Sequence, residues 1–157
     1  MTSKMPNWCH NIASFHHNDT IMIQKLLHGA EHGLLQEFIP HQKHHNPNWC
    51  VENWGTKWEA KDTTINKKDT NTIELSFNTA WSPPINFYKT MINNGFEIKA
   101  VYKESGLMFI GQFINGDDEI FLLDYDNFMK LPQFILHHYK KEIIEEKEFR
   151  FCSDDLK

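Results

Sequence analysis

From Thr72 to Trp81 apolar and polar residues alternate, with Ile73, Leu75 and Phe77 on one side, which is the period of a half-buried strand. Trp8 to Phe15 reads as an earlier strand. After Asn18-Asp19, which can cap a helix, Ile23, Leu26, Leu27 and Ala30 recur at helical spacing until Gly33 supplies a stop. A short apolar run, Leu34 to Ile39, closes at Pro40 and leads into a histidine-rich loop through Asn48. A strand is expected around Trp54 to Lys61, followed by the polar turn Asn66 to Asn71. Ser82-Pro83-Pro84 then marks a helix start with Ser82 as cap, because proline in a first turn forfeits no intrahelical hydrogen bond. Ile85, Tyr88, Met91 and Ile92 form the inner face of that helix, and Gly95 ends it. Two or three strands follow, within Phe96 to Lys103, Leu107 to Ile114 and Glu119 to Tyr125, with turn signals at Ser105-Gly106 and Asn115-Gly116. Pro132 opens a last helix to about Lys147, carrying Ile135, Tyr139 and Ile143 on its inner stripe.

The first six elements, strand, helix, strand, strand, helix, strand, follow the split β-α-β order of ferredoxin-like folds. The expected architecture is α+β, an antiparallel sheet with both of those helices on one face. A C-terminal hairpin and helix extend it. At 157 residues the chain is the size of a single domain, 1–157, large enough to bury a core. Residues 5–111, the span of the family-like motifs, are expected to form the core unit, with 112–157 adding a strand and the last helix.

Charge narrows the function. A net −5 opposes general nucleic-acid binding, which needs a basic stripe to displace counterions. Glu104, Asp117, Asp118, Glu119, Asp124 and Asp126 lie in a stretch without Lys or Arg, a patch suited to a basic partner or simply a solvated hairpin. The longest apolar runs, such as 120–123, are too short to span a bilayer, and the first residues show no secretory apolar segment. Cys9, Cys50 and Cys152 are an odd count without short paired spacing, which fits reduced thiols. Cytoplasmic residence is the resulting expectation.

Four of the five tryptophans fall in two blocks, Asn48 to Trp58 and Phe77 to Pro84, and Pro6-Asn-Trp-Cys9 recurs as Pro47-Asn-Trp-Cys50. Met5-Pro-Asn-Trp-Cys-His-Asn11, Glu52-Asn-Trp-Gly-Thr-Lys-Trp58, Phe77-Asn-Thr-Ala-Trp-Ser-Pro-Pro84 and Tyr102-Lys-Glu-Ser-Gly106 followed by Phe109-Ile-Gly111 together resemble the Api92-like family, which includes the YubB type. The four motifs cover Met5 to Gly111 in the family's order, and Met1 to Lys4 would be an extension ahead of them. The resemblance implies a ferredoxin-like fold and a bacteriophage or conjugative-plasmid context. It implies no reaction, and it says nothing beyond Asp126.

On a strand, Trp54 and Trp58 would share a face, with Trp81 ending the neighbouring strand. They would form either a stacking platform, supplied by Lys57, Thr56 and Thr79, or scaffold at the sheet edge, the reading that weighs more. His28 and His32 stand one helical turn apart, and Cys9, His10, His44, His45 and Cys50 could converge. But the order is not His-Glu-x-x-His and Gly29 weakens the turn, so no metal and no cofactor are expected. Cys9 and His10 point to opposite faces of a strand, and Asp117-Asp118 sits at a turn tip where both stay ionised. Glu104 is the better candidate, because the resemblance implies that its hairpin ends near the tryptophan blocks, though a hydrogen-bonded strand-end role weighs more.

The leading expectation is a small non-catalytic binding protein of a phage or mobile element that docks on a host protein, in the manner of an anti-defence inhibitor. The contact residues would come from Trp54, Lys57, Trp58, Thr79, Trp81, Glu104, Asp117, Asp118 and Glu119. The alternatives are a small enzyme or ligand-binding protein with a Trp-lined cleft, and a single-stranded nucleic-acid binder. The mixed charge of the last helix argues against a membrane partner and leaves homodimerisation open.

Overall fold

A computed structural model describes residues 5–41 and 44–154; Met1 to Lys4, read above as an extension, lie outside the described residues. Six strands form one antiparallel sheet: β1 (Trp8–His16), β2 (Lys61–Lys68), β3 (Thr72–Ala80), β4 (Glu97–Glu104), β5 (Phe109–Ile114) and β6 (Asp117–Leu122). Their order is β2-β3-β1-β4-β5-β6. β3 is inserted between β1 and β2, and β1 between β3 and β4, which is the ferredoxin-like arrangement. β5 and β6 extend the sheet past β4.

The helices are α1 (Thr20–His32), α2 (Leu34–Phe38), α3 (Pro47–Trp54), α4 (Ile85–Asn93) and α5 (Gln133–Asp154). Asp19 caps α1 by accepting from the Ile21 N–H, and Gly33 at φ 144° ends it. The alternation of β1 divides the molecule. Cys9, Asn11, Ala13 and Phe15 are buried on one face, where α1 to α4 enclose Phe15, Leu26, Trp54, Phe77, Phe87 and Tyr88. The opposite face meets α5, whose Ile135, Tyr139 and Ile143 pack with Val101, Ile110 and Leu123. The molecule therefore has three layers, with α1 and α4 on one face as expected and α5 across the other. No helix among the described residues is long and apolar enough to cross a membrane.

Three local expectations change. The strand expected at Trp54 to Lys61 does not form. Asn46 caps α3, accepting from the N–H groups of Asn48 and Trp49, Pro47 opens the helix, and Gly55 at φ 89° closes it just after Trp54. β2 starts only at Lys61 and is exposed along nearly all its length, so no alternation announces it. Trp54 and Trp58 consequently share no strand face. Ser82 does not cap α4 either. Pro84 holds that position, and the Ser82 hydroxyl donates to the Gly55 carbonyl at 2.7 Å. Finally, α5 runs seven residues past Lys147, to Asp154.

Candidate functional site

The tryptophan blocks are joined to each other by side-chain hydroxyls that donate to backbone carbonyls, and to the start of β1 by a backbone bond. Thr56 donates to the Ala80 carbonyl at 2.8 Å, Ser82 to Gly55, and the Trp81 N–H to Asn7 at 2.8 Å. A Cβ on Gly55 would lie 2.9 Å from the Ile85 nitrogen, so glycine permits this close approach as well as the left-handed turn. Trp54 is buried in the core with its indole N–H donating to the Ile39 carbonyl at 2.9 Å. Trp58 meets Trp8 edge-to-face at 6.1 Å, and the exposed Lys57 lies 5.9 Å from the Trp81 ring. Thr79 is fully buried, accepting from Asn11 at 2.9 Å and donating to the Ser82 carbonyl at 2.6 Å. The three indoles Trp54, Trp58 and Trp81 are thus held at one end of the sheet in different surroundings.

Beside that end, a cleft of about 460 Å³ opens between the start of β1, the β4–β5 turn and α5, lined by Trp8, His10, Asn78, Ser105 and Glu142 among others. Glu104 reaches its wall but is itself buried. Its two oxygens accept the Gly106 and Leu107 N–H groups at 2.7 and 2.9 Å, which shapes the turn. Lys103, opposite His10 in the β1–β4 register, is only 4% exposed. Its ammonium contacts Glu146, lies 3.2 Å from Glu142 and 3.0 Å from the Ser105 hydroxyl, and sits over the Tyr139 ring. Burial pushes the Glu146 carboxyl up, but hydrogen bonds from Lys103, Tyr125 and Ser105 outweigh it and hold the group below the usual carboxylate range.

His10 completes the cleft. The Tyr139 hydroxyl donates to the His10 carbonyl at 3.0 Å, so its oxygen must accept from His10 Nδ1, 3.1 Å away. Burial also lowers the His10 pKa, with smaller opposed effects from Glu142 and Lys103. A neutral imidazole bonded this way carries its lone pair on Nε2, able to accept a hydrogen bond or a proton.

The far edge of the sheet is different. β5 and β6 pair in unbroken register over six residues, Phe109 with Leu122 through Ile114 with Asp117. Asp118, Ile120 and Leu122 alternate onto the α1 and α4 face, beyond the cover of those helices. Ile120 is 63% and Leu122 74% exposed. The Tyr102 side chain lies across Gly111 and donates to Asp118. Burial and that bond raise the Tyr102 phenol, so it stays a donor. Asp117, Asp118 and Glu119 are exposed, in the first half of the strand and not at the turn tip, which Asn115 and Gly116 occupy with positive φ.

Of the candidate residues, Glu104 alone lines the described cleft, while Asp117, Asp118 and Glu119 lie together on β6. As lining of this cleft, Lys103, Glu142 and Glu146 escaped sequence reasoning, and Tyr139 was read only as part of the inner stripe of its helix. Lys103 alternates onto the face opposite Tyr102, which reads as solvent until α5 covers it. The one signal was the pair Glu142 and Glu146, one turn apart beside the Tyr139 and Ile143 stripe. No group of three or more His, Cys, Asp or Glu side chains suited to a metal occurs among the described residues. In comparisons with known proteins, the chain matches no family model, no curated protein and no solved structure.

Proposed function

We propose that the chain is a small binding protein of a phage or other mobile element that docks on a host protein through the β6 edge, acting as an inhibitor and not as a catalyst. The observation that carries this is the exposure of Ile120 and Leu122 on a regular, unbulged edge strand among Asp117, Asp118 and Glu119. An edge strand offers a row of unpaired N–H and C=O groups to an added strand. The carboxylates favour a partner segment with basic residues between its apolar ones. The resemblance to the Api92-like family supports the mobile-element context.

Affinity capture from several candidate bacterial hosts, with wild type and with Ile120→Lys/Leu122→Lys, tests the reading. A stoichiometric host protein retained by wild type and lost by the double variant supports it. No such protein in any host, or one retained equally by the variant, overturns it. A second reading, ligand binding in the cleft, is favoured by the neutral His10 beside Trp8 and Glu142. A small molecule that shifts the His10 imidazole signals on titration, and fails to do so in Glu142→Gln, would support that use.

A further inference from the structure

We propose that His28 and His32 form a site for a divalent transition-metal ion of the zinc, nickel or copper type, on the exposed face of α1. The two imidazoles stack with centroids 4.3 Å apart and planes 18° apart, one helical turn from each other. What distinguishes them from two solvated rings is the other nitrogen of each. His28 Nδ1 lies 2.8 Å from Glu37 Oε2, and His32 Nδ1 lies 3.0 Å from the His28 carbonyl oxygen. Carboxylate and carbonyl oxygens only accept, so both Nδ1 atoms carry a proton, and in the neutral form of each ring the lone pair lies on Nε2. Carboxylate or backbone carbonyl behind the ring is the support that metal-ligating histidines use to fix tautomer and orientation.

Gly29 gives this arrangement its geometry. In the sequence it reads as a weak point of the helix, costing about 1 kcal/mol relative to alanine. In the fold a Cβ there would lie 2.9 Å from the Glu37 Cβ. Its absence lets α2 approach α1 closely enough for Glu37 to reach His28. His28 and His32 are both exposed, and to share one ion their rings would tilt from parallel stacking, pivoting on the Nδ1 hydrogen bonds, until their Nε2 atoms converge. Water supplies the remaining coordination positions, and imidazole ligation suits zinc, nickel and copper(II).

Titration of the full chain with Zn(II), Ni(II) and Cu(II), followed by calorimetry and by imidazole NMR signals, tests the proposal. The expected result is one saturable site, with His28 and His32 signals shifting together and α1 melting at a higher temperature. His28→Ala and His32→Ala, both surface changes whose folding is checked by circular dichroism, should each abolish that site. Glu37→Gln should weaken it by roughly tenfold, the loss typical of a displaced outer-shell partner. His44→Ala/His45→Ala should leave it unchanged. The proposal is overturned by an isotherm that survives His28→Ala/His32→Ala, by shifts confined to His41, His44, His45, His137 or His138, or by no binding of any of the three ions.

Discussion

Replacing Lys103 with methionine keeps the aliphatic stem that packs on Tyr139 and removes the charge held by Glu142 and Glu146. The carboxylates are partly exposed and can regain water, so the cost should fall below that of breaking a fully buried pair, at about 2 kcal/mol. Urea denaturation should show it as a lower midpoint with an unchanged slope. Gly111→Ala acts by crowding. The added methyl would collide with the Tyr102 ring and the Glu119 carbonyl, for a loss of about 1–3 kcal/mol. At this scale legibility tracked locality. Asp19, Gly33 and the Asn115-Gly116 turn were readable because each works within a few residues of itself. Lys103, Thr79 and Trp54 were not, because each is explained by a chain segment distant in sequence.

Among the elements, β1 and β3 were legible because one face is apolar along their whole length, and α4 because its buried side chains fall at helical spacing. The segment around Trp54 was misread because its aromatic residues suit a strand, whereas Asn46, Pro47 and Gly55 spell out a short helix between cap and stop. β2 was displaced because a solvated edge strand leaves no hydrophobic period. This difference has a kinetic consequence. β1 is central and covered on both faces, while β2 carries two register shifts against β3. Amide hydrogen exchange should therefore be slowest in β1 and fastest, among the strands, in β2. Equal protection across the two would mean that β2 is held by contacts beyond its pairing with β3.

The whole molecule should lose stability on acidification through two kinds of group. Burial lowers the pKa of both His10 and His138. As pH falls below about 6.5, the unfolded chain takes up protons that these folded sites resist, so stability declines with falling pH until the folded values are passed. Glu146, whose folded pKa is also lowered, acts later, with its contribution present above the ordinary carboxylate range and lost as pH falls through the folded value. Thermal melts between pH 7.5 and 5.5 should show the first decline, and His10→Gln should reduce its slope. A flat profile for wild type in that interval would contradict the burial of these rings. The architecture itself was legible as strand and helix order. The face taken by α5, and hence the cleft beneath it, was not, since an amphipathic helix fits either side of a sheet.

The two edges of the sheet also set how many neighbours the molecule can accept. β6 is regular and acidic, while β2 carries Lys61, Lys67 and Lys68, so charge alone would draw the β2 edge of one copy onto the β6 edge of the next and continue into a fibre. The register shifts in β2, together with Asp62 at φ 54°, bend that edge out of line for pairing. On the proposed mode of docking the sheet would therefore be monovalent: it would gain one strand, at β6, and growth would end there, so a complex formed at that edge is expected to have a stoichiometry of one to one.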